Sequence, residues 1–188
     1  MEILITLAVL MVVALIMVVM VVAIYNGLVN KRQEVCNAWA QIDTQLKRRY
    51  DLIPNLVETV KGYMQHEKGT LEAVIEARQV AIDAKSMQDQ IAAENQLTST
   101  LRSLMMLTEN YPDLKANQNA LKLQEELTST ENKIGFARQF YNNQVKVYNT
   151  AIETVPTNIV GGMFNFGAES YFEVENREER AAPRVQFS

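Results

Sequence analysis

Residues 3–25 read ILITLAVLMVVALIMVVMVVAIY, a run of Leu, Ile, Val, Met and Ala interrupted only by Thr6 and closed by Tyr25. At 1.5 Å per helical residue it is roughly 34 Å long, enough to cross a hydrocarbon core of about 30 Å with some tilt. No charged side chain lies inside it. A cleaved signal peptide would want a basic start, a shorter apolar stretch and a small-residue cleavage site. Here Met1 and Glu2 precede the run and no such site comes before Asn26. Residues 1–26 are therefore expected to be a retained single-pass anchor. Lys31 and Arg32 follow the span and no Lys or Arg precedes it, which predicts a short outer amino terminus and a cytoplasmic remainder.

The 188-residue chain leaves, beyond the anchor, a length that suits one domain. Net charge is −4 with Lys interspersed among Glu and Asp, so the basic face that nucleic acid requires is missing and no nucleic-acid partner is expected. The single cysteine, Cys36, excludes an intrachain disulfide. It reads as a small half-buried side chain, because a thiol nucleophile needs a nearby base and His66 is the only histidine. His66-Glu67 lacks the second histidine four residues on that a zinc-protease helix carries, Thr70 standing there. No metal, cofactor or catalytic residue is expected.

Sparse glycine and proline divide the rest into long helices. The first cytoplasmic helix is predicted from Gly27 to Tyr50 as a continuation of the span, with Leu28, Val35, Ile42 and Leu46 near heptad spacing and Trp39 in the core. Asp51 and Pro54 predict a turn, since proline disfavours helical geometry at Ile53 and lacks an amide donor. A second helix carries Leu56, Val57, Val60, Tyr63, Met64, Leu71, Val74, Ile75 and Ile82 inward, interrupted by Gly62 and Gly69. A third runs from about Met87 to Asn110 and ends at Tyr111, Pro112 and Asp113; a fourth runs from there to Pro156. The expected fold is all-α: a transmembrane helix followed by an up-down bundle of four long antiparallel helices over residues 27–156, then a tail over 157–188.

The stretch Lys47-Arg48-Arg49-Tyr50-Asp51-Leu52-Ile53-Pro54-Asn55-Leu56-Val57 is similar to the signature of LemA proteins. Tyr25-Asn26-Gly27-Leu28-Val29, Glu109-Asn110-Tyr111-Pro112-Asp113, Thr130-Glu131-Asn132, Tyr141-Asn142 and Tyr148-Asn149 fall in that family's order. The resemblance implies a single-pass bacterial membrane protein with a cytoplasmic domain of long helices and no established reaction. Some members sit beside genes for HtpX-type membrane proteases, and a relative takes part in building magnetosome membranes.

Glu131, Asn132, Arg138, Tyr141, Asn142, Tyr148 and Asn149 form the most unusual cluster, with Tyr-Asn recurring after seven residues on one helix face. They read as an interhelical polar network that fixes register, a binding stripe being the alternative. The tail is rich in aromatics, which disordered tails are not. Ile159, Val160, Met163, Phe164, Phe166, Tyr171 and Phe172 are therefore expected to pack against an adjacent subunit of a cyclic homo-oligomer or, alternatively, on membrane lipid, with Glu173 to Arg184 mobile. The expected function is a non-enzymatic scaffold at the cytoplasmic face of the bacterial inner membrane. An adaptor for a membrane protease and a small-molecule sensor are the alternatives.

Overall fold

The computed structural model describes residues 1–172; the expected mobility of Glu173 to Arg184 and the placement of Phe187 lie outside them. The fold is an all-α helical bundle, with six helices among the described residues: α1 Glu2–Lys61, α2 Lys68–Asp83, α3 Met87–Thr108, α4 Pro112–Lys115, α5 Gln118–Glu153 and α6 Thr157–Met163. Among the described residues α1 is the one helix long and apolar enough to cross a membrane. The chain divides into two compact units, one of Met1–Gln41 and Ala137–Tyr171, the other of Ile42–Phe136 and, of the described residues, Phe172.

The largest departure from the sequence expectation is at Asp51 and Pro54, which lie inside α1 and mark no turn. Proline at 54 cannot donate to the carbonyl of Tyr50 four residues earlier, so that acceptor is released. Arg78 of α2 takes it, its Nε donating to Tyr50 O at 2.7 Å. With the vacancy filled and Ile53, Leu56, Val57 and Val60 all buried, packing holds the helix through the proline. The chain turns at Gly62 instead, where Tyr63 and Met64 both donate to Val60 O at 3.0 Å, a tightening of the last turn common at helix ends.

Downstream boundaries follow local chemistry. Ser86 caps α3 by accepting from Asp89 N at 3.0 Å. Tyr111 precedes α4, Pro112 takes its first position, where the missing amide costs nothing, and Asp113 lies in its first turn. The single fourth helix expected from Asp113 is broken, because Asn117 Oδ1 accepts from the amides of Asn119 and Ala120 at 2.9 and 3.2 Å and starts α5. Pro156, joined to Val155 by a cis peptide, stands between α5 and α6.

The Ile42–Phe136 unit has a continuous apolar core from Leu52, Ile53, Leu56, Val57, Val60 and Met64 of α1 and its turn, Leu71, Val74, Ala77 and Ala81 of α2, and Ala93, Leu97, Leu101 and Leu104 of α3, closed by Leu114, Ala120 and Leu127. Three residues assigned inward, Tyr63, Ile75 and Ile82, are exposed. The stripe expected along one second helix running on through Gly62 and Gly69 changes phase where the real turn falls.

In the other unit α1 and α5 run antiparallel. Trp39 meets Tyr141 edge-on at 5.4 Å between ring centroids, and further back along α1 the buried Leu28 lies by Gly161, where a Cβ would come within 3.8 Å of Leu28 Cδ1 and 3.9 Å of Ile152 Cβ. Cys36, expected half-buried, is exposed.

Candidate functional site

Two polar constellations occupy the interior, one in each unit. In the Ile42–Phe136 unit the guanidinium of Arg49 is wholly shielded from solvent and ion-paired to Glu94, equally shielded. Its Nη1 also reaches Glu131 Oε2 at 2.5 Å and donates to Thr98 Oγ1 at 3.0 Å. The Thr98 hydroxyl in turn donates to Glu131 Oε1 at 3.2 Å, and the Tyr50 hydroxyl donates to Glu94 Oε1. With Arg78 on the Tyr50 carbonyl, this node ties α1, α2, α3 and α5 together.

The helices deliver these groups by spacing. Arg49 follows Ile42 and Leu46 on the buried face of α1, and Glu94 stands between Ala93 and Leu97 on that of α3. A buried guanidinium is tolerable because its fork is met by carboxylates with further hydrogen bonds. Burial raises the Tyr50 phenol above its ordinary range, opposed by the neighbouring Arg49 charge. Tyr50 is thus held protonated as the donor that Glu94 needs.

A cavity of about 170 Å3 adjoins the node, lined by Arg49, Thr98, Arg102, Glu131 and Asn132 with Leu101, Met105 and Leu127. It is smaller than the roughly 300–1,000 Å3 that hold small ligands. Arginine is a fixed cation at any physiological pH and does not exchange its proton, so what the node does chemically is neutralise charge and hold helices in register.

In the other unit the tyrosines and asparagines of α5 grip the segment after α6. Tyr148 donates its hydroxyl to Gly167 O, and Tyr141 to Ser170 O, each at 2.9 Å. Asn149 makes a two-way pair with Glu169, Nδ2 donating to Glu169 O and Oδ1 accepting from Glu169 N, both at 2.9 Å. Burial first, then the Glu169 carboxylate, pushes the Tyr141 phenol up to about 12, and the same causes raise Tyr148.

The structure therefore divides the seam read from the sequence. Glu131 and Asn132 belong to the ionic node and its cavity. Tyr141, Tyr148 and Asn149 bind the tail's backbone, while Arg138 and Asn142 are half-buried on the same helix. Sequence spacing alone does not mark Arg49, Tyr50, Glu94 and Thr98 as site residues. Arg49 and Tyr50 stood inside the signature stretch, but nothing local pairs them with Glu94 of another helix.

The tail also differs from expectation in what buries it. Val160 and Phe172 are buried by the chain itself, and Phe166 packs edge-on to Tyr25 at 5.6 Å beneath the Arg32 guanidinium at 5.2 Å. The chain by itself thus covers Val160 and Phe172, and Phe166 in part. Ile159, Met163, Phe164 and Tyr171 stay exposed.

His66 lies in a groove of about 910 Å3 at the turn after α1, with Glu58, Lys61, Lys68 and Glu72. Among the described residues no three of His, Cys, Asp and Glu converge as metal ligands.

A model of the LemA family matches residues 38–187. Protein LemA of Metamycoplasma hominis is 26% identical over 157 residues, which span 81% of this chain and 70% of that protein. The signature stretch through which the sequence resembled this family supplies Arg49, Tyr50 and Pro54 to the helix-tying node, and with the match over most of its length the chain belongs to the LemA family.

Proposed function

We propose that the chain is a membrane-anchored, non-enzymatic scaffold that self-associates at the cytoplasmic face of a bacterial inner membrane. The anchor is the apolar run of α1, and Lys31 and Arg32 just beyond it favour a cytoplasmic bundle. One observation carries self-association: Phe136 on α5 is 72% exposed although Ile134 beside it is fully buried. In the same unit Leu121 of α5 is also exposed, and in the other unit α5 exposes Phe140 and Val147. A large aromatic held in water beside other exposed apolar side chains of the same helix fits a contact with another helix. A span confines copies to two dimensions, and a repeated contact that closes into a ring covers each such face once. The interior polar groups serve helix packing, which suits a structural role.

Photo-cross-linking from position 136 in intact cells tests this reading. A benzoylphenylalanine there should give adducts of the chain with itself. Adducts formed only with a membrane protease would favour the adaptor reading, and absence of any adduct would remove the α5 contact.

A further inference from the structure

Between Glu153 and Glu169 the sequence contains no charged residue. This segment holds α6, and its side chains divide sharply: Val160 and Gly161 are buried, Gly161 near Leu28 and Ile152, whereas Val155, Ile159 and Met163 are 71%, 61% and 68% exposed. Ile159 and Met163 are four residues apart in α6 and share one face. Phe164 follows, half exposed, with its ring 4.8 Å from that of Tyr25.

Tyr25 fixes where this face lies. It closes the apolar run of α1, so Phe164 sits at the level where the span leaves the hydrocarbon, a depth favoured by aromatic rings. Phe166 reaches from Tyr25 to Arg32, two helical turns or about 10 Å along α1. The chain then climbs α5 through Gly167, Glu169 and Ser170. The uncharged segment is thus its lowest part, and charges resume only above it. Lys31 and Arg32 are exposed just beyond and complement anionic headgroups.

We propose that α6 and its flanking residues Val155 and Phe164 form an interfacial foot, seated in the headgroup region of the leaflet from which α1 emerges. The occupant of the exposed face is lipid. The foot rests on the reading of α1 as a membrane anchor. It fixes the tilt and rotation of the helix exit, because a second contact beside a single span removes the freedom to swivel.

The test uses the full chain in vesicles of phosphatidylcholine and phosphatidylglycerol, with acyl chains either plain or brominated near the headgroup. Trp39 is the only tryptophan, so Trp39→Phe supplies a silent background for Met163→Trp, and for Leu10→Trp as a reporter of the span. Emission from position 163 should be mostly lost in brominated vesicles at every protein-to-lipid ratio, while Trp39 in the unaltered chain keeps its emission. Ile159→Trp, one turn away, should behave as position 163 does, and disagreement between them overturns the foot. Quenching at Leu10→Trp without quenching at 163 overturns the foot and leaves the anchor standing. Quenching at 163 that grows as the protein is diluted with lipid means a second copy covers the face, which also overturns it. If neither position is quenched, the anchor fails and the foot with it.

Discussion

The interior of the Ile42–Phe136 unit is tied by charge, that of the other unit by neutral hydrogen bonds. Arg49, Glu94 and Glu131 are ionised groups drawn from three helices. Tyr141, Tyr148 and Asn149 are neutral and bind backbone atoms of an irregular segment. The two respond differently to damage. Removing Arg49 or Glu94 from their buried pair strands the other in a medium that solvates it poorly, and costs about 3–5 kcal/mol. Removing a neutral hydrogen bond costs about 1 kcal/mol, and beside a surface segment water can replace it. Charge therefore makes register all-or-none, whereas the neutral seam allows the tail to detach by degrees.

The largest expected effect is on the ionic side. Arg49→Met should destabilise the detergent-solubilised chain by about 3–5 kcal/mol, read from chemical unfolding followed by circular dichroism. Replacing Arg49, Glu94 and Glu131 together by apolar residues should recover most of that loss, since no charge is then left buried without a partner. A triple variant no more stable than the single one would break the comparison.

A smaller effect belongs to the proline. Arg78→Met should cost about 1.5–3 kcal/mol, as for a hydrogen bond to a charged group, by orphaning the Tyr50 carbonyl. In a Pro54→Ala background the restored amide at 54 can satisfy that carbonyl, so the cost of losing Arg78 should shrink. Equal costs in both backgrounds would mean that Arg78 does not fill the vacancy left by Pro54.

On the neutral side, Tyr148→Phe and Asn149→Ala should each cost about 1 kcal/mol and leave helicity unchanged. Limited proteolysis should then cleave near Gly167 to Ser170 faster than in the unaltered chain. A cleavage rate that does not change would show that the tail is held by its apolar contacts alone.

The smallest effect is on alkaline titration. Burial holds Tyr141 protonated up to about 12, against about 10 for a free tyrosine. A folded value above the unfolded one means the contribution to stability is full below about pH 10 and is lost as pH climbs through about 12. Ultraviolet difference titration should show a late-ionising phenol that Tyr141→Phe removes.

The same contrast explains what the sequence disclosed. The long apolar helix and the helical class were legible because apolar length and three-four periodicity are local signals. So were Pro112 and Pro156, which stand where helices begin or join. Pro54 misled because its penalty was judged locally, while the compensating donor, Arg78, comes from another helix. Glu94 was invisible for the same reason: an acidic residue on a helix reads as solvated unless its partner is known. The seam's residues stood out by their Tyr-Asn repeat, but their use in gripping a backbone segment was hidden, since backbone acceptors carry no sequence signature.

Self-association through the exposed face of α5 is the claim on which the functional reading stands, and the mass of the particle extracted from native membranes in a lipid-retaining polymer tests it most directly. The unaltered chain should emerge as a defined multiple of its own mass. Phe136→Glu should emerge as the single chain, still membrane-bound and equally helical. A single-chain mass for the unaltered protein would contradict the account.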